Sequence, residues 1–475
     1  VQIGDAKMVQ IDAKIQNKKN SLLYPSRTYQ EIVDYLDTRW GNVANLVAMQ
    51  QLDESFGFIS KKIDSIIVSG SNGKSTTIHY ASQLLQEEGL QVGAFYTPHI
   101  FAYNERFAIN NEQISNQNFT DLGNRVIETV ENKKIAATTK DILTMMALLY
   151  FKENNVTIAI FENAETYKLD SVLYCDAKIN AITRLVTYTQ NDDILKAFEI
   201  VLSPATSKTI VVSADQNKSN LQIMSQMTQA KGAQWSMPIR KLAPLTYPFE
   251  QLHGRCGALA ERIAHIYVDQ FLHKDKTDVI TATLLNKPKG VRGRPTLEAK
   301  KALENYPKKS LSDFWNQATA SLPTRFQLIQ NNKSFVLLDN ADNLDALHNT
   351  FLGFRLLSYK YQFKNIGLIM GCNQGQFEEE NFIKEIRYFS KKTSGMIAFC
   401  NINTLVGEKS KASWDANKMT HAAKIAKIKS KAFKNLEEAY NATKQAMPTD
   451  DNTLIIITGS QAITCEYLKL FAQTA

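Results

Sequence analysis

Apolar residues recur along this chain in two periods. Tyr29, Ile32, Val33 and Leu36 repeat at the spacing of a helix face, which predicts a helix over residues 28–58. Ile63-Asp64-Ser65-Ile66-Ile67-Val68 is a short β-branched run and predicts a buried strand. A glycine-containing turn follows, then a helical stretch from Ser75 to Glu88 that Gly89 stops, then a strand from Gln91 to Tyr96. That order is the start of a βαβ unit and so of a parallel sheet. Helical patterns over Asn118–Glu131 and Asp141–Lys152 continue it, with strands at Val156–Phe161, Ile179–Thr183 and Thr209–Ser213 and a long helix at Leu252–Phe271. Residues 284–310, rich in Lys, Arg, Pro and Gly, predict an exposed loop with a short helix.

A second alternating region begins near Ser334. Its strands are expected at Phe335–Asp339, Asn365–Met370, Gly395–Phe399 and Leu454–Thr458, with helices between them. The boundary is placed at Leu322-Pro323, giving a larger N-terminal and central part over 1–322 and a smaller part over 323–475. There is no internal repeat and no low-complexity segment.

Composition changes this picture little. With 44% hydrophobic and 21% charged residues, the 475-residue chain has globular composition. Its net charge of +8 is spread without a dense basic block, which reads as a solvated surface suited to anionic small molecules and not as a nucleic-acid face. Five scattered cysteines form no CxxC pair, so no zinc site or disulfide framework is indicated. Reduced thiols, a polar stretch from Val1 to Asn20 and the lack of an apolar run long enough to span a bilayer point to a cytoplasmic protein.

The chemistry concentrates at Gly70-Ser71-Asn72-Gly73-Lys74-Ser75-Thr76, between a strand and a helix. The glycines let the backbone approach oxygen atoms, and successive N–H groups then point at phosphate. Lys74 supplies a point charge, and Ser75 or Thr76 a hydroxyl for Mg²⁺. Two residues separate the glycines here, where the usual Walker A motif has four. The loop alone predicts binding of phosphate, and its neighbours are needed to make that ATP.

Val68 to Thr76 resembles the ATP loop of the Mur ligase superfamily. Tyr96-Thr97-Pro98-His99 and Asn104-Glu105-Arg106-Phe107-Ala108-Ile109-Asn110 are similar to the "TSPH…NERI.IN" stretch of the folylpolyglutamate synthase/dihydrofolate synthase family. Thr139 to Phe151 resembles its "T.FE.LTA.AF.YF" helix. Glu162 with Leu169-Asp170 falls at "E.GLGGRLDATN", Leu322 to Phe326 at "PGRFE", Leu338 to Asn343 at "LDGAHN", and Thr458-Gly459-Ser460 with Glu466 at "TGS…GE". The resemblance is collinear from about Tyr29 to the end.

It implies an α/β fold: a Mur-ligase-like P-loop ATPase domain with a parallel sheet, plus a smaller Rossmann-like domain, with the active site between them. It implies a monomer that uses ATP and Mg²⁺ to activate a folate- or pteroate-type carboxylate as an acyl phosphate. The amine of an amino acid, glutamate in this family, then attacks. Carried over by position, Lys74 and Arg325 contact phosphate and Glu162 is a magnesium carboxylate. Asp339 and Asn343 lie near the nucleotide, and His99, Asn104 and Arg106 shape the substrate pocket.

The departures are as specific as the matches. Asn163 to Lys168 carries none of the family's glycines. Tyr188 and Thr189 stand at the Asp and His of "IT.I..DH", whose His is a second magnesium ligand in the family. Phe198 stands at an often-carbamylated lysine, with Lys196 two positions away, and Asp342 replaces the His of "GAHN". Three readings stay open: a diverged folate-type ligase, a Mur-type ligase of another carboxylate, and a nucleotide-binding module without turnover.

Overall fold

The computed structural model describes residues 26–187, 193–214, 217–237, 254–272, 314–315, 322–331, 334–392, 396–403, 412–447 and 452–471. The polar stretch from Val1 to Asn20 and the basic segment 284–310 fall outside them, as do Tyr188 and Thr189.

Two sheets organise the chain. The first contains β1 (Asp64–Ser69), β2 (Val92–Phe95), β3 (Phe107–Ile109), β4 (Glu112–Gln113), β5 (Ile158–Glu162), β6 (Ala177–Ile182), β7 (Ile210–Ser213) and β8 (Gln234–Ser236). Its order is β4-β3-β2-β5-β1-β6-β7-β8, parallel except for antiparallel β3 and β4 at one edge. The second contains β9 (Gln327–Asn331), β10 (Ser334–Leu338), β11 (Asn365–Met370), β12 (Ile397–Cys400), β13 (Ser430–Phe433) and β14 (Thr453–Thr458). Its order is β13-β12-β11-β14-β10-β9, with only the edge strand β9 antiparallel.

The unbroken apolar runs are explained by burial on both faces of parallel strands. In β1, Ile66 and Val68 point into one core layer and Ile67 into the opposite one. The first layer is closed by α3 (Lys74–Glu87) and α8 (Gly254–Tyr267). The second is closed by α1 (Tyr29–Asp37), α2 (Val47–Ser55), α4 (Asn116–Asn132) and α5 (Thr139–Glu153). Helices α6 (Ile194–Val201) and α7 (Lys218–Ala230) cover the far end of the same sheet. In the second sheet, Leu337 and Val336 likewise face opposite layers. Helices α9 (Leu344–Tyr361), α10 (Glu379–Lys392) and α11 (Ala416–Ile425) lie on one side, with α12 (Leu436–Gln445) and α13 (Gln461–Phe471) on the other.

The helix expected over 28–58 is two helices. A capping box starts α1, with Thr28 accepting from Glu31 N and the Glu31 carboxylate accepting from Thr28 N. The chain leaves the helix after Asp37, and Val43 pairs across to Leu169 in an isolated antiparallel bridge. That tertiary pairing overrides the local periodicity and turns Trp40, Gly41 and Asn42 towards the site. The short strands β3, β4, β8, β9 and β13 had no periodic signal of their own.

Candidate active site

The loops that follow β1, β5, β6 and β7 of the first sheet meet those after β10, β11 and β14 of the second around a cavity of about 870 Å³. Ligands of open α/β sheets bind at such carboxyl ends. Ser71, Asn72, Gly73, Lys74, Ser75, Thr76, Glu162, Arg325 and Asp339 all line it.

The phosphate loop owes its shape to two glycines. Gly70 has φ 137° and Gly73 φ 86°. A Cβ on Gly70 would collide with Thr183 Oγ1, and one on Gly73 would lie 2.8 Å from Cys256 Sγ. Both positions therefore require glycine for conformation and for space. Ser71 N donates to Arg184 O at 2.6 Å, which joins the loop to the chain leaving β6. Lys74 Nζ folds back and donates to Gly70 O at 2.7 Å. Gly73 caps α3, so the positive end of that helix also faces the cavity.

Glu162 is the last residue of β5 and is 3% exposed. Ser75 Oγ donates to its Oε1 at 3.0 Å and Thr97 N to its Oε2 at 3.2 Å. Burial pushes the carboxyl up, while Lys74 and Arg325 pull it back towards ionisation. Of the two hydroxyls left open by the sequence, Ser75 is the one that reaches Glu162. Thr76 also lines the cavity. A hydroxyl and a carboxylate 3.0 Å apart form a hard-oxygen pair suited to Mg²⁺, which takes few protein ligands and completes its shell with water and phosphate. Among the described residues, no group of three or more His, Cys, Asp or Glu gathers to form a richer metal site.

The second sheet supplies the opposite wall. Arg325 sits between Thr324 and Phe326, both left-handed at φ 63° and 52°. Its Nη1 donates to Thr324 Oγ1 at 3.3 Å. Asp339 follows β10 and accepts from Phe326 N at 3.0 Å and Thr350 Oγ1 at 2.6 Å. Burial raises its carboxyl to about 6, against the pull of Thr350 and Arg325. Asn343 caps α9 by accepting from Ala346 N at 2.9 Å. It sits behind the cavity wall and holds Asn72 through its side chain. Asp342 lines the cavity and accepts from Asn343 Nδ2 at 2.8 Å.

His99, Asn104 and Arg106 are not among the lining residues. Asn104 accepts from Tyr29 OH and donates to Ile114 O and Asn116 Oδ1, which fixes the turn around β3. Arg106 is buried and donates to His99 Nδ1 at 2.9 Å and Thr97 Oγ1 at 2.8 Å. Arg106, and His99 through it, connect to the cavity by way of Thr97, whose N–H holds Glu162. Burial, then Arg106 and Lys469, push the His99 imidazole down to about 3, so it is neutral.

The departures have structural counterparts. In the glycine-free loop, Glu165 pairs with Lys140 at 2.7 Å and Tyr167 OH donates to Val186 O at 2.9 Å. Phe198 is fully buried beside Val201, Leu202 and Met224, and Lys196 is exposed on α6. A lysine at position 196 therefore does not take the place of the missing one. The sequence reading passed over Trp40, Lys140, Arg184 and Asp345, all of which line the cavity. Only Arg184 carried a signal, as a cation just past the end of a buried strand.

This chain is 29% identical to the dihydrofolate synthase/folylpolyglutamate synthase of Bacillus subtilis over 236 residues, 48% of this chain and 52% of that protein. The match thus spans about half the length of that relative. A probable folylpolyglutamate synthase of Saccharomyces cerevisiae is 22% identical over 312 residues, 64% of this chain and 70% of that one. Among solved structures, Mycobacterium tuberculosis folylpolyglutamate synthase complexed with ADP and AMPPCP superposes with TM-score 0.71 at 15% identity, covering 93% of this chain and 98% of that one. The chain is thus similar to folylpolyglutamate synthase/dihydrofolate synthases in sequence over part of its length and in fold over nearly all of it. The bifunctional member from Yersinia pestis, complexed with AMPPNP and a Mn ion, gives TM-score 0.70 at 18% identity over 95% of this chain and 99% of that one. No family model matches the chain.

Proposed function

We propose that this chain is an ADP-forming ligase that joins an amino acid, glutamate by its family, to a folate- or pteroate-type carboxylate. The observation that carries the reading is the convergence of Lys74, Ser75, Glu162 and Arg325, from two sheets, on one cavity. In this reading the N–H groups at the start of α3 and Lys74 bind the polyphosphate, and Arg325 faces it from the other wall. Ser75 and Glu162 would hold Mg²⁺, which supplies charge neutralisation at the transferring phosphoryl group. Closure of the two walls keeps water from an activated acyl group. The domain division at 322/323 belongs to this reading, as do the magnesium identity, a monomeric state and a cytoplasmic location. Among the described residues, no helix is long and apolar enough to cross a membrane.

A second reading, a nucleotide-binding module without turnover, is favoured by one observation: Phe198 is locked into an apolar core where the family resemblance expects a functional lysine. One assay separates the two. Purified protein is given ATP, Mg²⁺, glutamate and either dihydropteroate or tetrahydrofolate, and ADP release is followed. Substrate-stimulated ADP supports the ligase. Tight ATP binding with no stimulated ADP supports the module. Stimulation only by a different carboxylic acid points to a Mur-type ligase of another substrate.

A further inference from the structure

The resemblance assigns phosphate contacts to Lys74 and Arg325 and leaves the position of Arg184 open. Arg184 is bound to the phosphate loop by its own backbone. Its carbonyl accepts from Ser71 N at 2.6 Å and Asn72 N at 3.4 Å, and it forms an isolated antiparallel bridge with Asn72. Arg184 lines the same cavity as Lys74 and Ser75, and its side chain is 28% exposed. Its direction is set from the other sheet. Asp345, in the first turn of α9, accepts from Arg184 Nε at 3.2 Å and Nη2 at 3.1 Å through a single oxygen. The other Asp345 oxygen accepts from Asn72 Nδ2 at 2.9 Å. One carboxylate thus braces both the loop side chain and the arginine beside it.

We propose that Arg184 is a third phosphate-binding cation of this site. The inference rests on the reading of the cavity as an ATP site. A guanidinium carries five donors in a rigid fork, enough to hold a carboxylate and a phosphate oxygen together. Ser71 and Asn72 spend their N–H groups on Arg184 O, so a polyphosphate would seat on the N–H groups at the start of α3, and Arg184 is joined by its backbone to the loop that leads into that helix. The charge matters here because the cavity wall also carries Glu162, Glu165, Asp339, Asp342 and Asp345, which repel an anionic ligand. Besides Arg184 the wall carries Lys74, Lys140, Lys168, Arg255 and Arg325, of which Lys140 is already paired with Glu165 at 2.7 Å.

The test measures ATP and ADP binding by calorimetry in the presence of Mg²⁺, for the full chain and for Arg184→Gln, Arg184→Lys and Lys74→Ala. Thermal melting of each variant confirms folding. The expected result is a rise in the ATP dissociation constant of roughly tenfold or more for Arg184→Gln, with partial recovery in Arg184→Lys. If Lys74→Ala weakens ATP binding and Arg184→Gln does not, Arg184 only adheres the two walls and the proposal is overturned. A lowered melting temperature with unchanged affinity has the same meaning. If neither variant affects binding, the ATP reading of the cavity fails with it.

Discussion

The side-chain amides of Asn72 and Asn343 exchange two hydrogen bonds across the cleft. Asn343 Nδ2 donates to Asn72 Oδ1 at 2.7 Å, and Asn72 Nδ2 donates to Asn343 Oδ1 at 3.1 Å. One amide belongs to the phosphate loop and the other caps α9 of the second sheet. Loop conformation and the seating of the second sheet are therefore coupled through this pair, beside the Asp345 contacts to Asn72 and Arg184. Asn72→Ala and Asn343→Ala should each lower the melting temperature, the second more because it also removes a helix cap worth about 1 kcal/mol. The double variant should lose less than the sum. A double-mutant cycle from chemical denaturation reads the coupling, and strict additivity would rule the pair out as a link.

Ser75 and Thr76 are both hydroxyls at the start of α3, yet only Ser75 has a bond to Glu162. Ser75→Ala should raise the Mg²⁺ concentration needed for tight ATP binding, and Thr76→Ala should leave it near wild type. Magnesium titrations at fixed ATP check this. The reverse order of effects would move the metal to the other hydroxyl.

Gly70→Ala should destabilise the folded chain. The φ of 137° is one that a residue with a side chain seldom adopts, and the new methyl meets Thr183 Oγ1 and lies 3.1 Å from Arg184 O. A loss of about 1–3 kcal/mol is expected from backbone strain alone. Relieving the clash by shortening the neighbour, as in Gly70→Ala with Thr183→Ser, should not restore stability, since the hydroxyl remains. Thr183→Ala in its place should recover part of it. Denaturation midpoints distinguish the three.

The sequence carried the site's first wall better than its second. Gly70 to Lys74 and Glu162 were legible because a strand-end loop and a strand-end carboxylate are local patterns. Ser75 over Thr76 was not, because the choice depends on where β5 places Glu162, 87 residues away. Arg184 and Asp345 were missed for the same reason: their pairing spans 161 residues and two sheets. The break after α1 was hidden because Val43 leaves the helix for Leu169, a partner that periodicity cannot see. His99 and Arg106 stood out as motif residues, but Arg106 is buried and His99 half-buried behind Thr97.

That burial sets a pH dependence. His99 is held down to about 3 by burial, Arg106 and Lys469, against an unfolded value of 6.5. The unfolded chain therefore binds more protons than the folded one between these values. By linkage, stability is complete above pH 6.5 and falls as pH drops towards 3. In the folded state Nδ1 accepts from Arg106, so protonation there would also break that bond and expose a buried guanidinium to a second positive charge. His99→Gln keeps an acceptor for Arg106 and removes the titration. Its melting temperature should fall less than that of the wild type between pH 6.5 and pH 5. Parallel melting curves for the two proteins across that range would show that His99 does not carry this dependence.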